Sequence, residues 1–400
     1  MSLLALADFE AARASIRGVV SATPATRSHS LSLRVRREVW LKPEYLQRTG
    51  SFKIRGAYHR LSRLPPRSHV VAGSAGNHAQ GVALAAQLLG HRATIFMPGD
   101  ASLPKVTATK GYGADVVLGG ATVDDCIDAA KRFAADHEGI FVPPFDHPDI
   151  VAGQGTIGLE LLDEVPGLST VAVAIGGGGL CGGVAAAIKL SRPEVRVIGV
   201  TASGASSMIA SLAAGTPQSV APSTIADGIA LKAPTELTLS HVRAFVDEVV
   251  DVSDDDITAA MLLLLERAKA VVEPAGAATL AAALANRLGP DVGPTALVLG
   301  GGNVDPLLLG KCIEHGLSAL GRFLRLRFVT TDRPGSLAEL TAEFAAMRLN
   351  VVDVEHHRSG MRLAVNAVEI LVVLETRDDE HRHDVLRAFR DKGFDVEIVE

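Results

Sequence analysis

Length, composition and charge already narrow the class of protein. With 400 residues the chain exceeds what one ordinary hydrophobic core accommodates, so we expect two or three domains. Hydrophobic residues make up 48% of it and aromatic residues only 4%, which indicates an α/β core of Ala, Val, Leu and Ile. The net charge of -6 disfavours nucleic acids and anionic membranes as partners, because both bind basic surfaces. Three scattered cysteines, an odd number without metal-ligand spacing, favour a reduced, cytoplasmic protein.

From about residue 37 to residue 300, short β-rich runs alternate with Ala-rich helical stretches. Residues 4–20 predict an amphipathic helix, and the early Asp8 and Glu10 argue against a signal peptide. No stretch reaches the roughly 18 uninterrupted apolar residues that a membrane span requires. Strands are predicted at residues 38–42, 70–73, 93–97, 115–118, 171–175, 196–200 and 296–299. This alternation is typical of parallel βαβ units, whose ligands bind where the strands end.

After about residue 309 the pattern changes. Strands are predicted at 326–330, 351–356, 365–374 and 395–399, and helices at 337–347 and 378–392. This βαββαβ order is that of a ferredoxin-like domain, which could fold alone. We place the domain boundary near Arg322, so that residues 1–321 form one domain and residues 322–400 another.

The first candidate motif is Gly50-Ser51-Phe52-Lys53, ahead of a predicted helix. Ser51 is a good N-cap residue, which would put Lys53 in the first helical turn. A cation there faces the positive end of the helix dipole, so the pKa of the amine should fall. A neutral amine is what Schiff-base formation requires. The motif alone does not distinguish such a lysine from a solvated surface lysine.

The second motif is Ser74-Ala75-Gly76-Asn77-His78, which follows a predicted strand and precedes a helix predicted over 82–89. Free N–H groups at such a turn form an anion site, and glycine lets the backbone approach a ligand closely. A substrate carboxylate would fit there, and Asn77 could donate to a ring oxygen. An ordinary tight turn is the alternative, although the string is more specific than a turn requires.

The third motif is Gly176-Gly177-Gly178-Gly179-Leu180, directly after the strand predicted at 171–175. Successive glycines can bend into a nest of N–H groups that holds a phosphate. The glycine spacing also fits a dinucleotide-binding fingerprint. That alternative requires an acidic residue about 20 positions on, and the next strand ends without one. We therefore favour a phosphate monoester.

Together these motifs resemble those of the fold-type II pyridoxal-phosphate enzymes, in the threonine/serine dehydratase branch. The resemblance covers essentially the whole chain. It implies an α/β catalytic domain like the tryptophan synthase β subunit, with two lobes of parallel sheet and the small lobe, about residues 44–150, inserted in the large one. The C-terminal βαββαβ segment resembles the ACT domain, which binds amino-acid effectors in related enzymes. Because ferredoxin-like domains often pair, we expect a homo-oligomer, a dimer or a tetramer.

The resemblance also implies residue roles. Lys53 would carry pyridoxal 5'-phosphate, with Phe52 packed on its ring, Asn77 contacting the ring oxygen and Glu273 beside it. The other residues implied in cofactor binding are Gly176, Gly177, Gly178, Gly179, Leu180 and Gly300. Those implied in substrate binding are Ser74, Ala75, Gly76, Asn77 and His78.

Some positions depart from the family pattern. Gly300 replaces the serine that usually reaches the pyridine nitrogen, and Tyr45 replaces an asparagine. Metal-binding relatives place carboxylates where this chain has Thr201 and Ser207, so we predict no metal. Ala75 replaces the serine that serves racemases as a second acid/base, which favours elimination.

The implied reaction is deamination of L-threonine to 2-oxobutanoate, and of L-serine to pyruvate, with Lys53 removing the Cα proton before the β-hydroxyl leaves. One alternative is a lyase for another β-hydroxy amino acid, such as 3-hydroxyaspartate. Another is a catalytically weakened amino-acid sensor, suggested by Gly300 and Tyr45. The acidic pair Asp124-Asp125 is interpreted as helix N-terminal charge and capping rather than a site.

Overall fold

The computed structural model describes residues 3–358 and 364–399. The chain divides into two compact units, Met1–Leu309 and Gly310–Glu400. This division falls within the helix Pro306–Ala319, ahead of the boundary predicted near Arg322. Across the described residues, none of the helices combines the length and apolarity needed to cross a membrane.

The first unit contains two parallel sheets. Its strands are β1 (Thr26–Arg27), β2 (Val39–Pro43), β3 (His69–Gly73), β4 (Arg92–Met97), β5 (Asp115–Leu118), β6 (Ile140–Phe141), β7 (Thr170–Ala174), β8 (Arg196–Ala202), β9 (Glu248–Val252) and β10 (Thr295–Leu299). The large sheet has the order β1-β2-β10-β7-β8-β9, parallel except for β1, and the small sheet the order β5-β4-β3-β6. The seven predicted strands are confirmed within two residues at each end.

Helices separate these strands, as parallel connections require. They are α1 (Leu6–Ile16), α2 (His29–Val35), α3 (Lys53–Ser62), α4 (Asn77–Leu89), α5 (Leu103–Gly111), α6 (Val123–Asp136), α7 (Pro148–Glu164), α8 (Gly179–Ser191), α9 (Ser207–Ala214), α10 (Glu236–Phe245), α11 (Asp254–Leu263) and α12 (Pro274–Leu284), followed by α13 (Pro306–Ala319). Single turns lie at Glu44–Leu46, Ser203–Ala205, Asp227–Ile229 and Leu264–Ala268.

Close helix packing holds the large sheet's core together. A Cβ atom on Gly183 of α8 would lie 2.4 Å from the backbone oxygen of Val151 in α7, so only glycine fits at that crossing. The ring of Phe9 in α1 occupies the space beside Gly155 and is fully buried. Burying a side chain of this size contributes roughly 1.5–3 kcal/mol. The opening helix therefore belongs to the core of the first unit.

The second unit is the expected βαββαβ domain. Its elements are β11 (Phe323–Thr331), α14 (Ser336–Ala346), β12 (Val351–His357), β13 (Ala367–Glu375), α15 (Asp379–Asp391) and β14 (Asp395–Ile398). The sheet is antiparallel with the order β12-β13-β11-β14. Phe328, Phe344 and Phe389 meet edge to face in its core, with 5.1 Å between the ring centres of Phe328 and Phe389. The predicted ferredoxin-like order is confirmed.

Candidate active site

Lys53 is the first residue of α3 and lines a cavity of about 350 Å³ in the first unit. Its Nζ donates to the backbone oxygen of Pro144 at 2.9 Å and lies 5.3 Å from the ring centre of Phe52. Burial lowers the pKa of Lys53 from 10.5 to about 8, against an opposing effect of the Glu273 carboxylate. The lowered pKa makes this amine partly neutral near physiological pH, as a nucleophile or base requires.

The loop before Lys53 is fixed by a distant part of the chain rather than by a helix cap. Phe52 is the N-cap, with helical φ of -58° and no side-chain cap, so the prediction that Ser51 caps α3 is wrong. Ser51 instead bridges Gly301, and the Phe52 N–H donates to the Gly300 oxygen at 3.0 Å. Within the described chain, the buried Ser51 Oγ has no hydrogen-bond partner. The prediction that Lys53 lies in the first turn is confirmed.

The glycine run after β7 forms a turn that leads into α8. Gly178 has φ of 90° and is the N-cap of that helix, so the first N–H groups of α8 lack partners within the helix. A Cβ atom on Gly177 would lie 2.7 Å from the ring of Phe145, and one on Gly176 would lie 2.8 Å from the Ile229 Cα. The backbone therefore approaches its surroundings as only glycine allows, and it presents N–H groups suited to an anion.

The serine loop after β3 supplies a second helix N-terminus. Helix α4 begins at Asn77, five residues before the predicted 82, because Gly76 rather than a later residue is its N-cap. The Gly76 N–H donates to Ser74 Oγ at 3.2 Å, which tightens the turn. His78 Nε2 lies 2.9 Å from the Val142 oxygen, and burial, aided by the charge of Lys53, lowers the pKa of His78 to about 3. This imidazole is neutral and donates to the backbone.

Asn77 is held between two other side chains. Its Nδ2 donates to both carboxylate oxygens of Glu273, at 2.8 and 3.0 Å, and its Oδ1 accepts from Asn303 Nδ2 at 2.7 Å. Burial raises the pKa of Glu273 to about 7, although the hydrogen bond from Asn77 lowers it. Sequence analysis did not select Asn303. The only available signal was its place directly after the three glycines that follow β10.

Two ion pairs lie among the cavity residues. Lys105 Nζ of α5 is 3.2 Å from Asp227 Oδ2, and Lys232 pairs with Asp124 of α6. None of these four residues was predicted as part of the site. Asp125 accepts from the N–H groups of Ala121 and Thr122, which confirms capping for that residue, whereas Asp124 lines the cavity and pairs with Lys232.

The structure brings all the residues implied for the site into this single cavity. Its lining includes Phe52, Lys53, Ser74, Ala75, Gly76, Asn77, His78, Gly176, Gly177, Gly178, Gly179, Leu180, Glu273 and Gly300. Thr201 Oγ1 donates to the Ala205 oxygen, and Ser207 Oγ donates to the Leu231 oxygen. In the described part of the chain, no group of three or more His, Cys, Asp or Glu residues is arranged to hold a metal ion.

Comparisons with known proteins agree with this geometry. A family model described as pyridoxal-phosphate dependent enzyme matches residues 16–301, and an ACT domain model matches residues 324–394. The chain is 44% identical to L-threonine ammonia-lyase of Thermotoga maritima, over 99% of this chain and 100% of that protein.

Solved structures give the same result. The threonine deaminase of T.th. has a TM-score of 0.72 and 39% identity, covering 76% of this chain and 99% of its own. Serine racemase from Dictyostelium discoideum has a TM-score of 0.71 and 34% identity, covering 76% and 99%. The chain belongs to the family of pyridoxal-phosphate-dependent enzymes, and its C-terminal unit carries an ACT domain.

Proposed function

We propose that the protein is an ammonia-lyase that deaminates L-threonine, and L-serine as a second substrate, to a 2-oxo acid and ammonia. One observation carries this proposal: an amine with a pKa near 8 and a glycine turn suited to a phosphate line the same cavity. The relatives named L-threonine ammonia-lyase and threonine deaminase support the choice of threonine. The likeness to a serine racemase supports serine.

The cavity fits pyridoxal 5'-phosphate. Lys53 offers the amine for its aldehyde, and Gly176 to Gly179 with Leu180 offer N–H groups for its phosphate. Phe52 and Asn77 would contact the ring, with Glu273 fixing the Asn77 amide. At Gly300 a Cβ atom would have ordinary contacts, 3.4 Å from the nearest Phe52 atom. The serine usual at this position would therefore fit, and its absence leaves space rather than a clash.

The residues of the cavity then divide the chemistry. The bound cofactor supplies an electron sink that acidifies the Cα–H of an attached amino acid. Lys53, with its lowered pKa, accepts that proton as general base. The loop from Ser74 to His78, at the N-terminus of α4, would hold the substrate carboxylate. Ala75 lines the cavity and has no proton to transfer, so the opposite face lacks the second base that racemisation would need.

We also propose that the ACT domain, residues 322–400, senses an amino acid and that the chain forms a homo-oligomer. Strand β12 lies at the edge of its sheet, and Val352 on it is 56% exposed. An exposed apolar edge strand is suited to pairing with another chain. Light scattering on the purified protein checks the oligomer, and calorimetry with candidate amino acids checks the effector.

The function is tested with the protein reconstituted with pyridoxal 5'-phosphate. We expect ammonia and 2-oxobutanoate from L-threonine, pyruvate from L-serine, and a borohydride-stable adduct on Lys53 located by peptide mass spectrometry. Absence of the adduct would contradict the proposed cofactor site. An adduct without ammonia from L-threonine, L-serine or 3-hydroxyaspartate would instead favour the weakened amino-acid sensor.

A further inference from the structure

The side chain of Asn303 joins three segments that surround the cavity. It lines the cavity directly after the glycines that follow β10. Its Nδ2 donates to the backbone oxygen of Thr49, in the loop before Lys53, and to Oδ1 of Asn77, the first residue of α4, both at 2.7 Å. A Cβ atom on Gly50, whose φ is 69°, would collide with Asn303 Oδ1, so glycine leaves room for this amide.

The backbone fixes the direction of these hydrogen bonds. The Thr49 oxygen is a carbonyl and can only accept, so the atom of the Asn303 amide that faces it must be Nδ2. The same nitrogen donates its other N–H to Asn77, which must therefore present Oδ1. The Nδ2 of Asn77 then faces the Glu273 carboxylate, to which it donates at 2.8 and 3.0 Å. A side-chain amide has two orientations related by a flip, and the backbone oxygen selects one of them.

Glu273 holds the Asn77 amide in place but does not by itself select this orientation. Burial raises the pKa of Glu273 to about 7, so part of the molecules carry a protonated carboxyl near neutral pH. An ionised carboxylate only accepts, whereas a protonated carboxyl also donates and could bond to the oxygen of a flipped Asn77. Asn303 does not titrate, and its partner at Thr49 has no donor state, so its direction does not change with pH.

The orientation of Asn77 determines what the cavity offers to the ring oxygen of the cofactor. Both oxygens of the Glu273 carboxylate lie in nearly the same direction from Asn77 Nδ2 and share one N–H, which leaves the second N–H for a ligand in the cavity. An N–H that donates to the ring oxygen stabilises the ionised form of that oxygen. A flipped amide would place oxygen against oxygen and destabilise it.

We propose that Asn303 is a positioning residue: its amide holds Asn77 in the orientation that donates an N–H to the ring oxygen of bound pyridoxal 5'-phosphate. This inference rests on the cofactor site proposed above and adds to it a residue that acts through Asn77.

The loop before α3 does not depend on the Asn303 side chain. The Gly302 N–H donates to the Gly50 oxygen at 2.9 Å, and the Phe52 N–H donates to the Gly300 oxygen at 3.0 Å. These backbone hydrogen bonds remain when the amide is removed. Replacing Asn303 should therefore act through α4 rather than through that loop.

The first test is the absorbance spectrum of the protein reconstituted with pyridoxal 5'-phosphate, before substrate is added. The adduct on Lys53 absorbs at longer wavelength when its ring oxygen is ionised than when that oxygen is protonated. We expect Asn303→Ala to lower the ratio of the longer-wavelength form to the other by about twofold to tenfold, the range that one hydrogen bond supplies. An unchanged ratio would overturn the inference.

Thr279→Val is the matched control for this spectrum. Thr279 of α12 is fully buried, donates to the Val298 oxygen of β10 at 3.4 Å and lies outside the cavity lining. The variant removes a buried hydrogen bond near the same strand and should leave the ratio of the two forms as it is. An equal change in both variants would mean that the spectrum reports general loosening, which would also overturn the inference.

A double-mutant cycle shows whether Asn303 acts through Asn77. Asn303→Ala should lower kcat for threonine about fivefold or more in the unaltered background. In the Asn77→Ala background it should lower kcat by less than about twofold and leave the spectrum unchanged, because no amide remains to be oriented. Equal effects in the two backgrounds would show that Asn303 acts independently of Asn77 and would refute the inference.

Neutron diffraction from the unaltered protein with pyridoxal 5'-phosphate, after exchange into D₂O, covers the case in which the variants do not fold. Deuterium on the amides distinguishes nitrogen from oxygen, and we expect the Asn77 nitrogen on the side of the ring oxygen. An Asn77 oxygen in that place would contradict the inference. The outcomes are separable: absence of an adduct on Lys53 contradicts the proposed cofactor site, whereas an adduct beside an inverted Asn77 contradicts only the role of Asn303.

Discussion

Helix α3 carries two basic side chains that lie in different environments, one in the wall of the cavity and one among buried carboxylates. Lys53 and Arg55 are two residues apart, about 200° around the helix, so they point to opposite sides. Lys53 lies in the cavity wall with a backbone oxygen as its hydrogen-bond partner, and its pKa is lowered. Arg55 is fully buried between the carboxylates of Glu44 and Glu160, at 2.7 and 2.6 Å, and its pKa is raised because these attractions outweigh the cost of burial.

The difference shows how one helix serves reactivity and stability together. Arg55 belongs to a buried ion cluster in which Lys42 also contacts Glu160 and Glu164, at 2.7 and 2.9 Å. This cluster joins β2, α3 and α7 and so holds the start of α3 in place. On that side the carboxylates stabilise a buried guanidinium, which stays charged. On the cavity side, the shortage of counter-charge leaves an amine that can lose its proton.

The largest expected effect comes from replacing Lys53, on the cavity side of α3. Lys53→Ala should lower kcat for threonine by at least about 10³-fold, because it removes the cofactor's attachment and the general base together. Ammonia release by the reconstituted enzyme measures this change. Lys110→Ala, at an exposed lysine outside the cavity, is the control and should retain activity. Comparable loss in both variants would contradict the assignment.

The next largest effect comes from replacing Arg55, on the side of α3 that faces the buried carboxylates. Arg55→Met should lower the free energy of unfolding by about 3–5 kcal/mol, because Glu44 is left buried without its partner. Urea denaturation followed by circular dichroism measures it. Arg92 and Asp115 form a pair in which both side chains are about two-thirds exposed, at 66% and 64%. Arg92→Met should therefore cost only about 0–1 kcal/mol, and an equal cost at the two arginines would refute the contrast.

A third experiment sharpens the comparison through pH. The pKa of Lys53 in the folded state is about 8, below its value of 10.5 in an unfolded chain. Between these values the unfolded state binds more protons, so stability rises with pH; below about 8 the full penalty of the buried ammonium applies. The unfolding free energy of the cofactor-free protein minus that of Lys53→Met should therefore increase from pH 8 to 10.5. A flat difference would show that the pKa of Lys53 is not depressed.

Glu273 should show a trend of similar size and opposite sign. Its pKa is raised to about 7 from 4.5, so between these values the folded state binds more protons and stability falls as pH rises. Glu273→Gln keeps an oxygen that can accept from Asn77 but does not titrate. The difference in unfolding free energy between the cofactor-free protein and this variant should decrease from pH 4.5 to 7, as measured by denaturation at each pH. A difference in unfolding free energy that does not change with pH would show that the pKa of Glu273 is not raised.

Local patterns were sufficient to predict seven of the ten described strands of the first unit and the three loops that carry the motifs. The fold class and the ferredoxin-like unit followed from hydrophobic alternation and from glycines directly after strands, whereas the family followed from the resemblance of the motifs around Lys53, Asn77 and Gly176 to those of known enzymes. Strand β9 was missed because Glu248 and Asp251 leave it only a short apolar run, and β1 and β6 were missed because they have only two residues each. Such strands depend on neighbouring strands rather than on their own composition.

Non-local contacts account for the errors at the site. Ser51 has the residue type of an N-cap, but its backbone pairs with Gly301, which no local pattern indicates. Asn303 contacts Asn77 from the other end of the first unit, and Arg55 looks like a surface cation in sequence although it is fully buried. Each of these features depends on a contact between segments that are far apart in the sequence. Local patterns in a single sequence do not reveal such long-range contacts.

The bridge between Ser51 and Gly301 has a consequence for biosynthesis. The loop that carries Lys53 is synthesised early. The segment after β10 that pairs with it, at Gly301, is synthesised about 250 residues later. A chain emerging from the ribosome thus exposes Lys53 for most of translation without the partner that shapes its surroundings. Capture of the vitamin-derived aldehyde in its proper pocket is consequently a late event, confined to chains whose first unit is all but finished.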